Sequence, residues 1–140
     1  MSGYYTYGGG YMISTDAFSY INVLEKAADA SWTRENLIAN NIANADTPGY
    51  KRQDIDFQTA LKNEMSNYKY TNLDKKVDNL NLTELNPMVY TDHGNYSYRL
   101  DGNNVDVDTE QVELASEQIK YQALTTSITS EFTRLQTVLK

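Results

Sequence analysis

The chain has no cysteine, only two prolines and no long apolar run among its 140 residues. Without cysteine it cannot form a disulfide, a zinc–thiolate site or a thiol nucleophile. No apolar stretch is long enough to span a bilayer, and the N-terminus lacks the basic region and apolar core of a cleaved signal peptide. We therefore expect no direct membrane insertion, and no cleaved signal if the protein leaves the cytoplasm.

Basic residues are also few, since 12 lysines and arginines against 19 acidic residues give a formal charge of −7. Such a surface repels phosphate backbones and anionic lipid, so nucleic-acid binding is not expected. Hydrophobic residues make up 40% of the chain, a little less than in an average globular domain. This composition predicts a thin core, or one completed by neighbouring subunits.

Two long segments have the periodicity of amphipathic helices. The first runs from about Asp16 to Asp46, with Thr15 or Asp16 as a candidate N-cap and with Pro48 and Gly49 ending it. Its inward seam alternates steps of four and three residues, the spacing of a coiled coil. The seam consists of Ala17, Ile21, Leu24, Ala28, Ser31, Glu35, Ile38, Ile42 and Ala45.

The second helix runs from about Thr109 to Lys140, with Asp108 at the N-cap position and Gln111 three residues later, as in a capping box. Two long helices of similar length at opposite ends of the chain predict a mainly α fold. We expect them to pair as an antiparallel coiled coil. The apolar stripe of the second helix, which Tyr121 and Leu114 widen, consists of Val112, Ala115, Ile119, Leu124, Ile128, Phe132, Leu135 and Leu139.

The remaining sequence predicts an irregular middle segment and a possible short β-hairpin, because Tyr96–Leu100 and Val105–Val107 alternate on either side of Asp101-Gly102. A flexible Tyr/Gly-rich tail is expected first, since consecutive glycines lose much entropy on ordering. The predicted divisions are the tail at 1–13; the first helix, a turn and a short helix at 14–65; a polar loop at 66–95; and the hairpin and second helix at 96–140.

Candidates for chemistry are weak. His93 is the only histidine, and with Asp92 and Ser97 nearby it is the basis of one alternative, a small hydrolase. A calcium loop that starts at Asp101, in the acidic stretch 101–110, fails the required pattern at its fifth, sixth and twelfth positions. The sequence therefore predicts no enzyme, no catalytic residue, no cofactor and no bound metal.

The segment from Asn40 to Phe57, NNIANADTPGYKRQDIDF, is unusual for a helix end, because asparagine is a poor helix former. It resembles the N-terminal signature of the flagellar basal-body rod and hook proteins, and residues 53–57 resemble the proximal rod proteins in particular. Residues 103–108, leading into the second helix, resemble the C-terminal signature of the same family. The stretch 119–125 again resembles the proximal branch.

The resemblance implies a set of packing and intersubunit positions. In the N-terminal signature these are Asn40, Asn41, Ile42, Ala43, Asn44, Thr47, Pro48, Gly49, Tyr50 and Lys51. In the C-terminal signature they are Asn103, Asn104, Val105, Asp106, Tyr121 and Gln122.

The resemblance also implies a function. A protein of this kind is a structural subunit of the periplasm-spanning basal-body rod, exported without a cleaved signal peptide and needed for motility. Its implied partners are copies of itself, other rod subunits, a FliE-like adaptor and the membrane ring with its export gate. The alternative is a helical binding module that docks an export chaperone or adaptor.

Overall fold

The computed structural model describes residues 9–68, 71–94 and 102–140. Helices dominate this part of the chain, as the sequence predicted, and the two longest lie at its ends. None of the described helices is both long and apolar enough to cross a membrane. The elements are α1 (Gly9–Ala43), β1 (Gln53–Ile55), α2 (Phe57–Ser66), α3 (Leu73–Asp78), β2 (Val89–Thr91) and α4 (Val107–Val138).

Helix α1 begins earlier than the sequence predicted. The tail was expected over 1–13, but Gly9–Ile13 belong to α1, and residues 1–8 lie outside the described part of the chain. Extending an existing helix adds one hydrogen bond for each residue that is fixed. This bond offsets the roughly 1 kcal/mol that each glycine costs relative to alanine. At its other end α1 stops at Ala43, before the predicted Asp46.

Helices α1 and α4 pack side by side. Ser31 of α1 is hydrogen-bonded to Glu117 of α4, whereas Asn41, later in α1, is bonded to Glu110, earlier in α4. The two helices are therefore antiparallel, which confirms the prediction. Every position of the predicted α1 seam is buried or half-buried.

The predicted apolar stripe of α4 is wrong in its first half. Val112 and Ile119 are 72% and 70% exposed, and Ala115 is exposed as well. The face turned toward α1 instead carries Glu110 and Glu117, which are only 1% and 2% exposed. Opposite these two glutamates, α1 carries polar side chains. An apolar residue in place of either glutamate would leave those polar groups buried without hydrogen bonds.

The second half of that stripe is partly confirmed. Leu124, Ile128 and Leu135 are half-buried, whereas Phe132 and Leu139 are 45% and 83% exposed. Leu139 follows the last residue of α4, and Phe132 lies at the edge of the stripe. The buried charged residues of α4 thus lie in its N-terminal half, and the half-buried apolar residues of the stripe lie in its C-terminal half.

The middle segment is more ordered than the predicted polar loop at 66–95, because it contains α3 and β2. Val77, Leu80 and Leu85 are 7%, 8% and 0% exposed. Leu80 and Leu85 share a core cluster with Ala30 of α1. A few apolar residues spaced through a polar segment produce little periodicity, but their burial against α1 supplies the free energy that orders the segment.

A small antiparallel sheet joins the middle segment to the turn region. Gln53 pairs with Thr91 and Ile55 pairs with Val89. Ile55 also belongs to the core cluster on α1. Strand β1 is therefore held by α1 on one side and by β2 along its edge.

The stretch that leads into α4 starts a helix and does not form the predicted hairpin. Residues 96–101 lie outside the described part of the chain, and Val107 is already the first residue of α4. The N-cap is Asp106, not the predicted Asp108, because the Asp106 side chain accepts from the N–H groups of Asp108 and Thr109 at 3.1 and 3.3 Å. The cap satisfies backbone N–H groups at the start of α4. In a hairpin arm, the same groups would need acceptors on a neighbouring strand.

Candidate assembly site

The signature turn, defined here as residues 44–50, leads from α1 toward β1. The Thr47 N–H donates to the Asn44 carbonyl at 2.9 Å, and the Tyr50 N–H donates to the Thr47 carbonyl at 3.1 Å. Gly49 has a φ of 73°, a left-handed conformation that costs other residues about 1 kcal/mol or more. The turn therefore requires glycine at this position to return the chain alongside α1.

Asn41 connects this turn to both neighbouring elements, and its side chain is 0% exposed. Its Nδ2 donates to the Gln53 carbonyl at 2.9 Å and to Glu110 Oε2 at 3.1 Å. Its Oδ1 accepts from the Gln53 N–H at 3.0 Å and from the Tyr50 hydroxyl at 3.1 Å. One amide thus ties α1 to β1, to the turn and to α4.

The C-terminal signature packs directly on the N-terminal one. Asn103 Nδ2 donates to the carbonyls of Ala45 and Thr47 at 2.7 and 2.8 Å. Asn104 Oδ1 accepts from the Arg52 N–H at 2.9 Å. Two stretches far apart in sequence therefore form one hydrogen-bonded unit at one end of the helix pair.

A second group, the carboxylate–arginine network, lies beside this unit. Arg34 donates from Nε to Asp54 Oδ1 at 2.8 Å, from one terminal nitrogen to Glu117 at 2.9 Å and from the other to Glu113 at 2.7 Å. One guanidinium therefore joins α1, β1 and α4. The network consists of Arg34, Arg52, Asp54, Glu110, Glu113 and Glu117.

Arg52 makes the corresponding contacts at the turn end of the network. Its Nε donates to Glu110, and a terminal nitrogen donates to Asp54 Oδ2 at 2.9 Å. Toward the other end, the Ser31 hydroxyl donates to Glu117 Oε1 at 2.7 Å. The two most deeply buried carboxylates of α4 are thus each bonded to donors from other elements, as buried charges require.

The network also shifts the pKa values of Asp54, Glu117 and Arg34. Burial by itself would raise the pKa of Asp54, but the hydrogen bond and charge of Arg34 outweigh it and hold that pKa below its ordinary 3.8. Burial likewise opposes the ionised form of Glu117, yet donors from Ser31, Lys120 and Arg34 keep its pKa below 4.5. The same bond to Asp54 raises the pKa of Arg34. Contacts within the network therefore favour the ionised forms of Asp54 and Glu117.

These lowered pKa values predict acid sensitivity. The unfolded carboxyls of Asp54 and Glu117 take up protons near 3.8 and 4.5, before the folded ones do. Their contribution to stability is complete above those values and is lost as the pH falls through the lower folded pKa values. We expect urea unfolding to show stability declining as the pH falls below about 4.5. An Asp54→Asn/Glu117→Gln variant is the control, and its stability should fall less steeply with decreasing pH. An equally steep fall in the variant would contradict the assignment of the acid sensitivity to these two carboxyls.

The structure divides the predicted site residues by exposure. The N-terminal set and residues 103–106 meet at one end of the helix pair, whereas Tyr121 and Gln122 lie farther along α4 and do not join them. Buried within the subunit are Asn41, Asn103, Asn104 and Val105. Half-buried are Ile42, Asn44, Tyr50, Lys51 and Tyr121, and exposed are Asn40, Ala43, Thr47, Pro48, Gly49, Asp106 and Gln122.

Sequence reasoning missed the carboxylate–arginine network. One signal was present, because Glu110 and Glu117 are seven residues apart and therefore lie on the same face of α4. The choice of the apolar stripe as the inward face hid that signal. No local pattern links Arg34 to Asp54, since their contact depends on the turn between them.

His93, on which the hydrolase alternative rests, is exposed just beyond β2. Ser97 lies outside the described residues. Within those residues, no group of three or more histidine, aspartate or glutamate side chains is arranged to hold a metal ion. The hydrolase stays a hypothesis without a described site geometry behind it.

Comparison with known proteins gives the same family as the two signatures. The family described as "Flagella basal body rod protein" matches residues 21–51, a range that includes most of α1 and the signature turn. The chain is 40% identical over 119 residues to the flagellar basal body rod protein FlgB of Bacillus subtilis (strain 168), covering 85% of this chain and 92% of that protein.

Two other relatives are similar over most of their length. Identity is 32% over 128 residues with FlgB of Buchnera aphidicola subsp. Acyrthosiphon pisum (strain APS), covering 85% of this chain and 92% of the relative. It is 36% over 115 residues with FlgB of Proteus mirabilis (strain HI4320), covering 76% and 83%. This chain therefore belongs to the flagellar basal-body rod protein family.

Proposed function

We propose that the chain is a structural subunit of the proximal part of the basal-body rod and acts by self-assembly, not by catalysis. The observation that carries this proposal is the joining of the two signature stretches, in which Asn103 donates to the carbonyls of Ala45 and Thr47. That bonding makes one end of the helix pair a rigid unit of fixed shape. A subunit that must fit identical neighbours repeatedly needs such a unit, because heterologous contacts between copies build an open helix.

Within this unit, the buried and exposed residues have different roles in the proposal. Asn41 and Asn103 are completely buried, so they shape the site from inside. Asn40, Ala43 and Pro48 are exposed, and they are the residues that touch a neighbouring subunit. The signature thus combines an internal scaffold with an outward contact surface.

The partners in this proposal are copies of the chain, other rod subunits, a FliE-like adaptor and the membrane ring with its export gate. The proposal includes export without a cleaved signal peptide. The names of the relatives support a place in the basal body. A rod of such subunits spans the periplasm and transmits rotation.

The test is an Ala43→Arg variant in a strain from which the chain's own gene is deleted. Ala43 is the exposed last residue of α1, so arginine there leaves the fold intact but obstructs a neighbour. We expect loss of swimming and of isolated rods with normal protein levels and an unchanged circular dichroism spectrum. Thr59→Arg, at an exposed position on α2, is the control and should swim. Normal motility of Ala43→Arg would contradict the assigned contact, and normal motility of the deletion strain would contradict the function.

A further inference from the structure

Helices α2 and α3 border a groove that the signature turn does not use. We call it the lysine-rimmed groove; its volume is about 430 Å³. Leu61 and Met65 form its apolar floor, and Lys62 and Lys76 stand at its rim. Neither lysine forms an ion pair with a described residue. The lining residues are Gln58, Leu61, Lys62, Met65, Ser66 and Lys76.

Helix α1 carries a surface of the opposite kind, here called the tryptophan face. Trp32 is 58% exposed and Phe18 is 51% exposed, although large aromatic side chains gain much by burial. Glu25 and Asp29 are exposed beside them and form no ion pair with a described residue. Because these positions are three, four or seven residues apart, they lie on one side of the helix.

The groove and the tryptophan face lie on opposite sides of α1. Leu61 and Met65 pack against the core cluster that contains Ala30, so the groove is on the Ala30 side of the helix. Trp32 follows two residues after Ala30, which turns it by about 200° around a helix of 3.6 residues per turn. The two surfaces therefore cannot meet within one subunit.

We propose that the tryptophan face of one subunit docks into the lysine-rimmed groove of a second copy of this chain. In this contact Trp32 enters the apolar groove, while Asp29 and Glu25 approach Lys62 and Lys76. The inference rests on the proposed function, because it names which surfaces of neighbouring rod subunits meet. It describes a contact separate from the one assigned to the signature turn.

The charge distribution favours this pairing over other approaches of two copies. With a formal charge of −7, two copies repel each other over most of their surface. In the groove, the exposed Lys62 and the half-buried Lys76 lie beside an apolar floor, so an acidic copy is attracted there and buries apolar area at the same time. The two surfaces differ and lie on opposite sides of the subunit. A copy that is bound through one surface therefore keeps the other free for a further copy, so the contact propagates.

The experiment uses the absence of native cysteine. An Asn36→Cys/Ser66→Cys variant places one thiol a turn beyond Trp32 and one at the groove, both at exposed positions, and keeps the proposed contact residues. Basal bodies are isolated from the deletion strain complemented with this variant and treated with a short bismaleimide. We expect a ladder of cross-linked oligomers of the chain on a denaturing gel.

Three further variants determine whether the ladder reports this contact. Adding Trp32→Ala or Lys62→Glu to the cysteine pair should abolish it, and combining Lys62→Glu with Asp29→Lys should restore it, because the charges are then exchanged. An Asn36→Cys/Ser127→Cys pair is the control and should give no ladder.

A ladder unaffected by Trp32→Ala, or rods that contain the double-cysteine chain but give no ladder, would overturn the contact and leave the rod function standing. Absence of the chain from isolated rods would overturn both.

Discussion

Replacing Arg34 by methionine is expected to reduce the free energy of unfolding by about 3 to 5 kcal/mol. The guanidinium is bonded to Asp54, Glu113 and Glu117 at 2.7 to 2.9 Å, and methionine fills much of its volume without any donor. Asp54 and Glu117 would then be buried without their main counter-charge, a larger penalty than the value of the ion pairs themselves. Urea unfolding at neutral pH, followed by circular dichroism, measures the loss.

Arg134→Met is the matched control, because Arg134 also forms an ion pair on a helix but its side chain is 77% exposed. We expect it to change stability by no more than about 0.5 kcal/mol, as for most surface pairs. If Arg34→Met and Arg134→Met had the same small effect, the carboxylate–arginine network would not stabilise the fold. At acid pH the Arg34→Met defect should shrink, since protonated carboxyls no longer need the counter-charge.

Replacing Asn41 by alanine is expected to cost about 3 kcal/mol. The change removes four hydrogen bonds at once and leaves the Gln53 backbone groups, the Tyr50 hydroxyl and Glu110 without a partner at that position. It also frees the turn from α4, so we expect faster proteolysis within residues 44–50. The thermal unfolding midpoint and limited proteolysis measure the two effects.

The neighbouring Asn40 provides a control within the same signature. It is exposed, so Asn40→Ala should change stability by less than about 0.5 kcal/mol while weakening rod assembly in the complementation assay. The pair thus separates folding from assembly. An Asn40→Ala protein as unstable as Asn41→Ala, or a fully stable Asn41→Ala protein, would contradict the division into internal scaffold and outward contact.

The contrast between the two helices explains how much of the fold was predictable. The α1 seam, which includes Ile21 and Ile38, follows from local spacing because its burial obeys helix periodicity. The same reasoning chose Val112 and Ile119 as the inward face of α4, and the structure exposes both. Periodicity ranks faces by apolarity, so it cannot recognise a face whose buried residues are charged and paired with another element.

The candidate site was predicted in part. The asparagines around Asn41 marked it, because asparagine is a poor residue for a helix interior, and the resemblance of residues 103–108 to the C-terminal signature marked Asn103. Their division into buried and exposed members could not be read from the chain, since Asn40 and Asn41 are the same residue type side by side. Only the position of α4 determines which of the two amides has partners to bind.

The sequence by itself determined three things about this protein: its helical class, its family, and the end of α1 before Pro48 and Gly49. Each of these depends on short-range spacing or on motif identity. Tertiary structure alone decided which face of α4 turns inward, that Val89–Thr91 pairs with β1, and that Arg34 meets three carboxylates. The physical reason is the range of the interactions. Helix periodicity and turn chemistry act within a few residues, whereas burial of a charge is favourable only where distant parts of the chain supply its counter-charge.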